Sequence, residues 1–498
     1  MKRKMLNMLL LTLVCCHSLG QSSLLLQLPQ NAIYEFSEVG DTSIIKAVND
    51  NLSLIYLFKS NSNSPSRFIL HNYANSVTSK SVNQLPNNVQ LGLDSIRVLD
   101  MCIVGEKCYF CGYIRNTDNG YVSQGGVYVL GYKGIVGMCT INAIGCTISD
   151  LKYIEVPEVQ DLRRIVYRRV DPDNAPVLTM IGSDVARSYL VHLNLSTGQY
   201  ALESPSDRNE SFVDLVVNAG MIMTVSQFYV TNSVGGRSID DRFFGLRYIK
   251  ETEPYFYSSA FNTSRQVDKY YVGDIEVEGN NATHYYPQKG MRLVPYGSSQ
   301  NELCFFVDQY YEYMILATIS MDAYSSHIRR MQQLTCNSQI IKDAFYIPAT
   351  GQMAVLTKDY TNYFHGSHDA LFVTPTSEWG VNDTSAHLQI FVDKDIHSAA
   401  RLRDGYWMVS GTNSDGKIIE DIQSARMYYS RCNEWDNIIY KRLPNIEAVS
   451  LESPISSIGT RSTTWVSPRL NSRNCQKTTQ CLESSPITPG IHEIEETE

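Results

Sequence analysis

The chain has 498 residues, 43% hydrophobic and 19% charged, with a net charge of −9. This is ordinary for a folded globular protein and long enough for one large repeat domain or several smaller ones. An acidic chain without clustered Lys and Arg argues against nucleic acid as a partner.

Residues 1–20 read as a signal peptide: Lys2, Arg3 and Lys4 precede an apolar run from Met5 to Val14, and Ser18 and Gly20 are small residues placed for cleavage. A lipoprotein anchor at Cys15 or Cys16 is the alternative. Removal of residues 1–20 takes three of the 42 basic residues and no acid, leaving 39 against 51 acidic ones, a net −12. No later segment is apolar for long enough to span a bilayer as a helix. The expected location is therefore secreted or cell-envelope, in the periplasm or on the outer surface.

Residues 24–36 form one or two short strands broken by Pro29. The stretch Val98–Gly112 (VLDMCIVGEKCYFCG) then supplies the organising pattern, two apolar strands about a polar turn at Gly105. Weaker copies begin near 44, 148, 212, 291, 341 and 396. Short-strand repeats at about this period predict an all-β, seven-bladed β-propeller of mostly four-stranded blades over residues 21–442. Blades packed face to face hide both faces of each sheet, which suits near-continuous apolar runs such as LIYLF and CYFC. We expect residues 21–36 to seal the ring by pairing with strands near Glu434–Arg442. From residue 443 onward a Ser/Thr-rich, acidic segment reads as a poorly ordered tail. Cys475 and Cys481 in that tail are a possible disulfide pair.

Asp100 together with Tyr109-Phe110-Cys111-Gly112 resembles the repeat of uncharacterised exported β-propeller-type proteins of Bacteroidetes-like bacteria. The resemblance implies fold and export, and carries no activity.

Four acids, Asp100, Asp150, Asp214 and Asp343, are assigned to one repeat position. A ring of carboxylates could hold a cation or act in acid/base pairs. Recurrence at one repeat position favours a structural role, bonding backbone N–H groups where blades meet. Cys108 and Cys111 form a C-x-x-C inside a strand, where residues three apart face opposite ways, so buried thiols are expected there, with a Cys102–Cys111 bridge as the alternative. The cluster His365, His368 and Asp369 reads as polar loop, and Asn413–Gly416 as a turn. No catalytic motif, metal site or cofactor fingerprint stands out.

The gap between the fourth and fifth repeat starts is the longest. Its insertion, residues 250–290, carries Tyr255, Tyr257, Tyr270, Tyr271, Tyr285 and Tyr286 among carboxylates. Exposed tyrosines of this kind suit sugar rings or peptides, whereas the alternative is an extra hairpin packing its own aromatics. The sequence therefore points to a binding or adhesion module for a glycan or an envelope or extracellular protein. The alternatives are a polysaccharide-acting enzyme with an acid pair from different blades, or a structural subunit of an envelope assembly.

Overall fold

The computed structural model describes 35 strands and the turns at 105–106, 157–160, 195–198, 350–351, 392–393 and 414–416, with shorter connecting stretches at 184, 187, 348 and 463–467. In chain order, β1 (Asn31–Val39) precedes a first group of four strands, β2 (Thr42–Asn49), β3 (Leu54–Asn61), β4 (Ser64–Asn72) and β5 (Ser79–Gln84). The second group is β6 (Arg97–Val104), β7 (Lys107–Arg115), the small hairpin β8 (Val122–Gln124) and β9 (Val127–Val129), then β10 (Tyr132–Asn142) and β11 (Thr147–Val156). The third is β12 (Asp161–Val170), β13 (Ala175–Ser183), β14 (Ser188–Asn194) and β15 (Gln199–Pro205). The fourth is β16 (Glu210–Asn218), β17 (Met221–Val234), β18 (Arg237–Ile249) and β19 (Val267–Val272). Next come β20 (Arg292–Tyr296), β21 (Glu302–Gln309), β22 (Tyr313–Met321) and β23 (Ser326–Thr335), then β24 (Ile340–Ile347), β25 (Gln352–Asn362), β26 (Gly366–Pro375) and β27 (Asp383–Phe391). The last group is β28 (Lys394–Arg401), β29 (Tyr406–Asn413) and β30 (Lys417–Ser424). Five more strands follow: β31 (Trp435–Arg442), β32 (Ala448–Ser450), β33 (Ile455–Ser462), β34 (Ser472–Asn474) and β35 (Lys477–Glu483).

The protein is all-β, a propeller arrangement of small antiparallel sheets. The first strands of successive groups touch in order, β2 to β6, β6 to β12, and on through β16, β20, β24 and β28, which returns to β2. Strand sequence follows from this packing. In β14 (SYLVHLN) every residue is buried, because the strand is hydrogen-bonded on both edges and covered on both faces. The β6–β7 hairpin turns at Gly105, whose φ of +58° is a conformation that glycine adopts without a Cβ penalty.

The sheets are not seven separate four-stranded units. Four have five strands, one has four, and β20–β27 are joined through β31 into a nine-stranded sheet. The cause is the C-terminal segment. Residues from 443 onward were expected to be a loose tail, yet β32–β35 dock antiparallel on the outer edges of four sheets, and β31, expected within the propeller, joins the two halves of the nine-stranded one. β31 lies between β23 and β27, β32 on β19, β33 on β15, β34 on β5 and β35 on β1. Between β33 and β34, Val466 bridges to Tyr153 of β11 through N–H···O bonds of 3.0 and 2.8 Å. The segment thus passes each group in reverse chain order, as a belt around the ring.

Three further expectations change. The ring is sealed by β1, but its partners are β30 and β35, not residues 434–442. The repeat start placed at Ile148 lies in β11, the outer strand of the second group, and the inner strand of the third group is β12. Part of the 250–290 insertion is regular sheet: β19 pairs with β18 and β32, and much of the extra spacing is taken up by the long strands β17 and β18. Residues 1–30 and the acidic C-terminus after 483 lie outside the described residues.

Close approach of backbones fixes several glycines, most tightly Gly411 in β29. A Cβ there would meet the Asp395 carbonyl oxygen at 1.9 Å and the Ile396 Cα at 2.6 Å. Both are backbone atoms of the neighbouring bulged strand, so neither can rotate away. Gly411→Ala should destabilise the fold by about 3 kcal/mol, in the range of overpacked cores. A urea titration checks this. An unchanged midpoint would mean that β28 yields freely.

Candidate functional site

The charged residues that the fold brings together lie on the inner strands. In β6, β12, β16, β24 and β28 the pairing skips one residue, a β-bulge, immediately before Asp100, Arg164, Asp214, Asp343 and Ser398. A bulge re-aims the side chain beside it, so five strands deliver the same position in the same way. Hydrogen bonds tie each acid to the next strand. Asp100 Oδ2 accepts from Ile165 N (3.0 Å), Asp214 Oδ2 from Leu293 N (2.7 Å) and Asp343 Oδ2 from Ala399 N (3.2 Å). The donating amides are each one residue beyond Arg164, Arg292 and Ser398. Around the ring the position therefore reads Asp100, Arg164, Asp214, Arg292, Asp343, Ser398.

The alternation is electrostatic as well as positional. Arg164 Nε donates to Asp214 Oδ1 at 2.9 Å. Burial works against the Arg164 charge, but Asp214, Asp100 and Asp343 outweigh it and raise its pKa above the ordinary value. Arg292 donates from Nε (3.1 Å) and Nη2 (2.6 Å) to the Lys342 carbonyl. Burial, then the neighbouring Arg164 charge, lowers its pKa to about 10, so it stays protonated at neutral pH. Ser398 Oγ closes this part of the series by donating to Asp343 Oδ2 at 3.2 Å.

A second cluster joins the nine-stranded sheet to the last one. Lys342 Nζ bonds Asp369 Oδ2 and Asp395 Oδ1, both at 2.9 Å, and also the Ile396 carbonyl. Asp369 Oδ2 further accepts from Ile396 N at 2.6 Å. Burial raises the Asp369 pKa, partly offset by Lys342 and the Ile396 amide. Burial pushes Asp395 the same way, but Lys342 and His397 outweigh it and lower its pKa. His397 Nε2 lies 3.7 Å from Asp395 Oδ2. Asp395, with its side chain 58% exposed, is the solvent-facing member.

One expectation about the acids is corrected here. Asp150 does not share the position of Asp100, Asp214 and Asp343: it is exposed on the outer strand β11, at φ +50°, and accepts from Thr140 Oγ1 at 3.2 Å. The residue at the equivalent place is Arg164, which an acid-seeking pattern passes over. The signal was present as R-[IL]-V in Arg164-Ile165-Val166 and Arg292-Leu293-Val294, aligned with Asp214-Leu215-Val216.

Of the tyrosines proposed for binding, Tyr255, Tyr257, Tyr285 and Tyr286 lie outside the described residues. Tyr270 and Tyr271 are in β19, opposite Leu246 and Gly245 on one edge and Ser450 and Val449 on the other. They belong to a sheet strand, not to a projecting loop. Cys475 is outside the described residues, and Cys481 sits in β35 opposite Ile33. Cys102, Cys108, Cys111 and Cys139 are thiols, and Cys111 donates to the Leu162 carbonyl at 3.3 Å. The Cys102–Cys111 bridge is not formed. Cys102 stands opposite Tyr109 and Cys111 opposite Asp100, so the two are diagonal neighbours, about 7–8 Å apart and beyond disulfide reach. His365 is outside the described residues, while Asp369 is the buried partner of Lys342. Asn413–Gly416 is a turn, with Asn413 Oδ1 accepting from Asp415 N (3.0 Å) and Lys417 N (2.9 Å). Among the described residues no group of His, Cys, Asp and Glu is placed to hold a metal ion, and no helix is long and apolar enough to cross a membrane.

Comparison with known proteins is sparse. No protein-family profile matches the chain, and no curated protein matches it. Among solved structures, similarity is found to Drosophila Semaphorin 2a, at 8% identity, TM-score 0.38, over 78% of this chain and 75% of that one. A GH32 beta-fructofuranosidase of Bombyx mori aligns at 9% identity, TM-score 0.32, over 84% and 94%. A GH43 protein of Bacillus licheniformis aligns at 10% identity, TM-score 0.24, over 83% and 99%. Likeness at this level carries no argument about function, which must come from the residues themselves.

Proposed function

We propose that the chain is an exported binding or adhesion module that recognises a glycan or an extracellular protein through loops at one end of the ring. The nine-stranded sheet then counts as two four-stranded units sharing β31, and the ring as seven blades. One observation supports binding over catalysis above all. Asp100, Asp214 and Asp343 are each committed to a backbone amide of the next strand and lie among two guanidiniums. Carboxylates whose oxygens are taken up by backbone amides in this way serve the ring and are poorly placed to exchange protons with a substrate.

A second reading, an enzyme acting on polysaccharide, is favoured by Asp369 and Asp395. They come from different sheets, share Lys342, and have pKa values pushed in opposite directions. Such divergence is a mark of acid/base pairs.

One experiment separates the readings. The purified full chain is passed over immobilised neutral and acidic polysaccharides, with bound protein and released reducing ends measured together. The binding reading expects saturable capture and no release. Release that disappears in Asp395→Asn would replace it with the enzyme. Neither capture nor release would leave the chain without a glycan role and turn the search to protein partners.

A further inference from the structure

We propose that Cys108 and Cys139 are a modification site, oxidised to a cross-strand disulfide that staples β7 to β10. The two residues are directly opposite one another in the antiparallel ladder. Directly opposed residues have Cα atoms about 4.5–5.5 Å apart and side chains on the same face. A disulfide spans about 4.4–6.8 Å between Cα atoms, so the backbone needs no rearrangement. The diagonal pair Cys102 and Cys111 fails this test. It also lies on the other face: Cys111 packs with Tyr109 and Val136 against the third group, with Cys102 beside them.

Both sulfurs are wholly buried, and Cys108 Sγ already lies 3.9 Å from Met101 Sδ on its own face. The neighbouring pair on that face is Phe110 opposite Gly137, where a Cβ would fall 1.9 Å from the Phe110 ring. The ring therefore fills the glycine site and closes the pocket around the thiols. A side-chain hydrogen bond to Cys139, then burial, pushes the Cys108 thiol well up. A thiol that seldom ionises attacks slowly. Oxidation thus belongs to the time at which β10 docks on β7, before the pocket closes. The bond would close a loop containing the β8–β9 hairpin.

The step balances with a disulfide oxidant such as oxidised glutathione. One cysteine thiolate attacks the oxidant to give a mixed disulfide and one glutathione thiol. The second cysteine displaces the other glutathione, so two protons and two electrons pass to the oxidant as one sulfur–sulfur bond forms.

For the test, the full chain is reduced, unfolded and refolded in mixed oxidised and reduced glutathione. Remaining thiols are blocked with N-ethylmaleimide in denaturant, and the protein is digested and mapped by mass spectrometry. The expected result is one linked peptide pair, lighter by two hydrogens than its separate parts. Fragmentation should place the bond at Cys108 and Cys139, not at Cys111 or Cys146. Cys111→Ser should keep it, and Cys108→Ser should remove it. Maleimide on both Cys108 and Cys139 of the refolded wild type overturns the proposal, as does a bond through Cys111. The wild-type map decides the matter even if a variant fails to fold.

Discussion

A chain stopped after Arg442, lacking β32–β35, should not persist as a monomer. Four outer strands, β19, β15, β5 and β1, would lose their hydrogen-bonded neighbour. An open strand edge is a template for another chain. The stability lost is also large. The β33–β15 ladder alone runs from Gln199↔Ser462 to Pro205↔Ile455. At about 1 kcal/mol net per backbone hydrogen bond, the four ladders together are worth on the order of 10 kcal/mol, comparable with the whole stability of a typical domain. Size-exclusion chromatography should find oligomer or aggregate where the full chain runs as a discrete species. Residues 443–498 added as a separate peptide during refolding should restore that species. A truncated monomer with an unchanged melting temperature would mean that the belt only rests on the ring.

Asp214→Ala should be the most costly single change at the alternating position. It removes the partner of Arg164, which is mostly buried, and leaves the Leu293 amide without its acceptor. Breaking one side of a buried ion pair costs about 3–5 kcal/mol, because the remaining charge stays uncompensated. Arg292 would feel the change as well, since Arg164 already disfavours its charge and Asp214 supports it. Removing both partners, Arg164→Ala with Asp214→Ala, should cost clearly less than the sum of the two single changes, with a coupling of about 1–3 kcal/mol. Asp395→Asn, at an exposed carboxylate, should stay within about 1 kcal/mol of the wild type. Denaturant titrations of the four variants measure this. Additive single effects would remove the ion pair from the account.

The inner part of the fold was legible because its strands carry near-continuous apolar runs bounded by turn residues, the pattern of strands covered on both faces. Six of seven repeat starts fall in or beside inner strands, and the Val98–Gly112 hairpin is β6 and β7. The miss at Ile148 has a specific cause. ISDLKYIEV has an acid at the sought spacing, whereas the true inner strand, DLRRIVYRRV, has arginine there. A position that alternates in charge does not look like a repeat to a search for one residue type. The belt was missed for a different reason. A strand that only completes an edge needs backbone N–H and C=O groups, not an apolar face. Its side chains are accordingly polar and open: Thr460, Arg461, Ser462 and Thr478 are all exposed. Composition that reads as disorder is the same composition that an outer strand can carry.

The recurring acids hold neighbouring sheets together and are thereby withheld from chemistry. Native-state hydrogen exchange at the Ile165, Leu293 and Ala399 amides tests it most directly, since these are the protons received by Asp100, Asp214 and Asp343. The account predicts that all three exchange only through openings close in free energy to global unfolding. It also predicts that Asp100→Ala speeds exchange selectively at Ile165, by tenfold or more if about 1.4 kcal/mol of local protection is lost. Fast exchange at all three amides in the wild-type protein would contradict it, and would return those carboxylates to the pool of candidate catalytic groups.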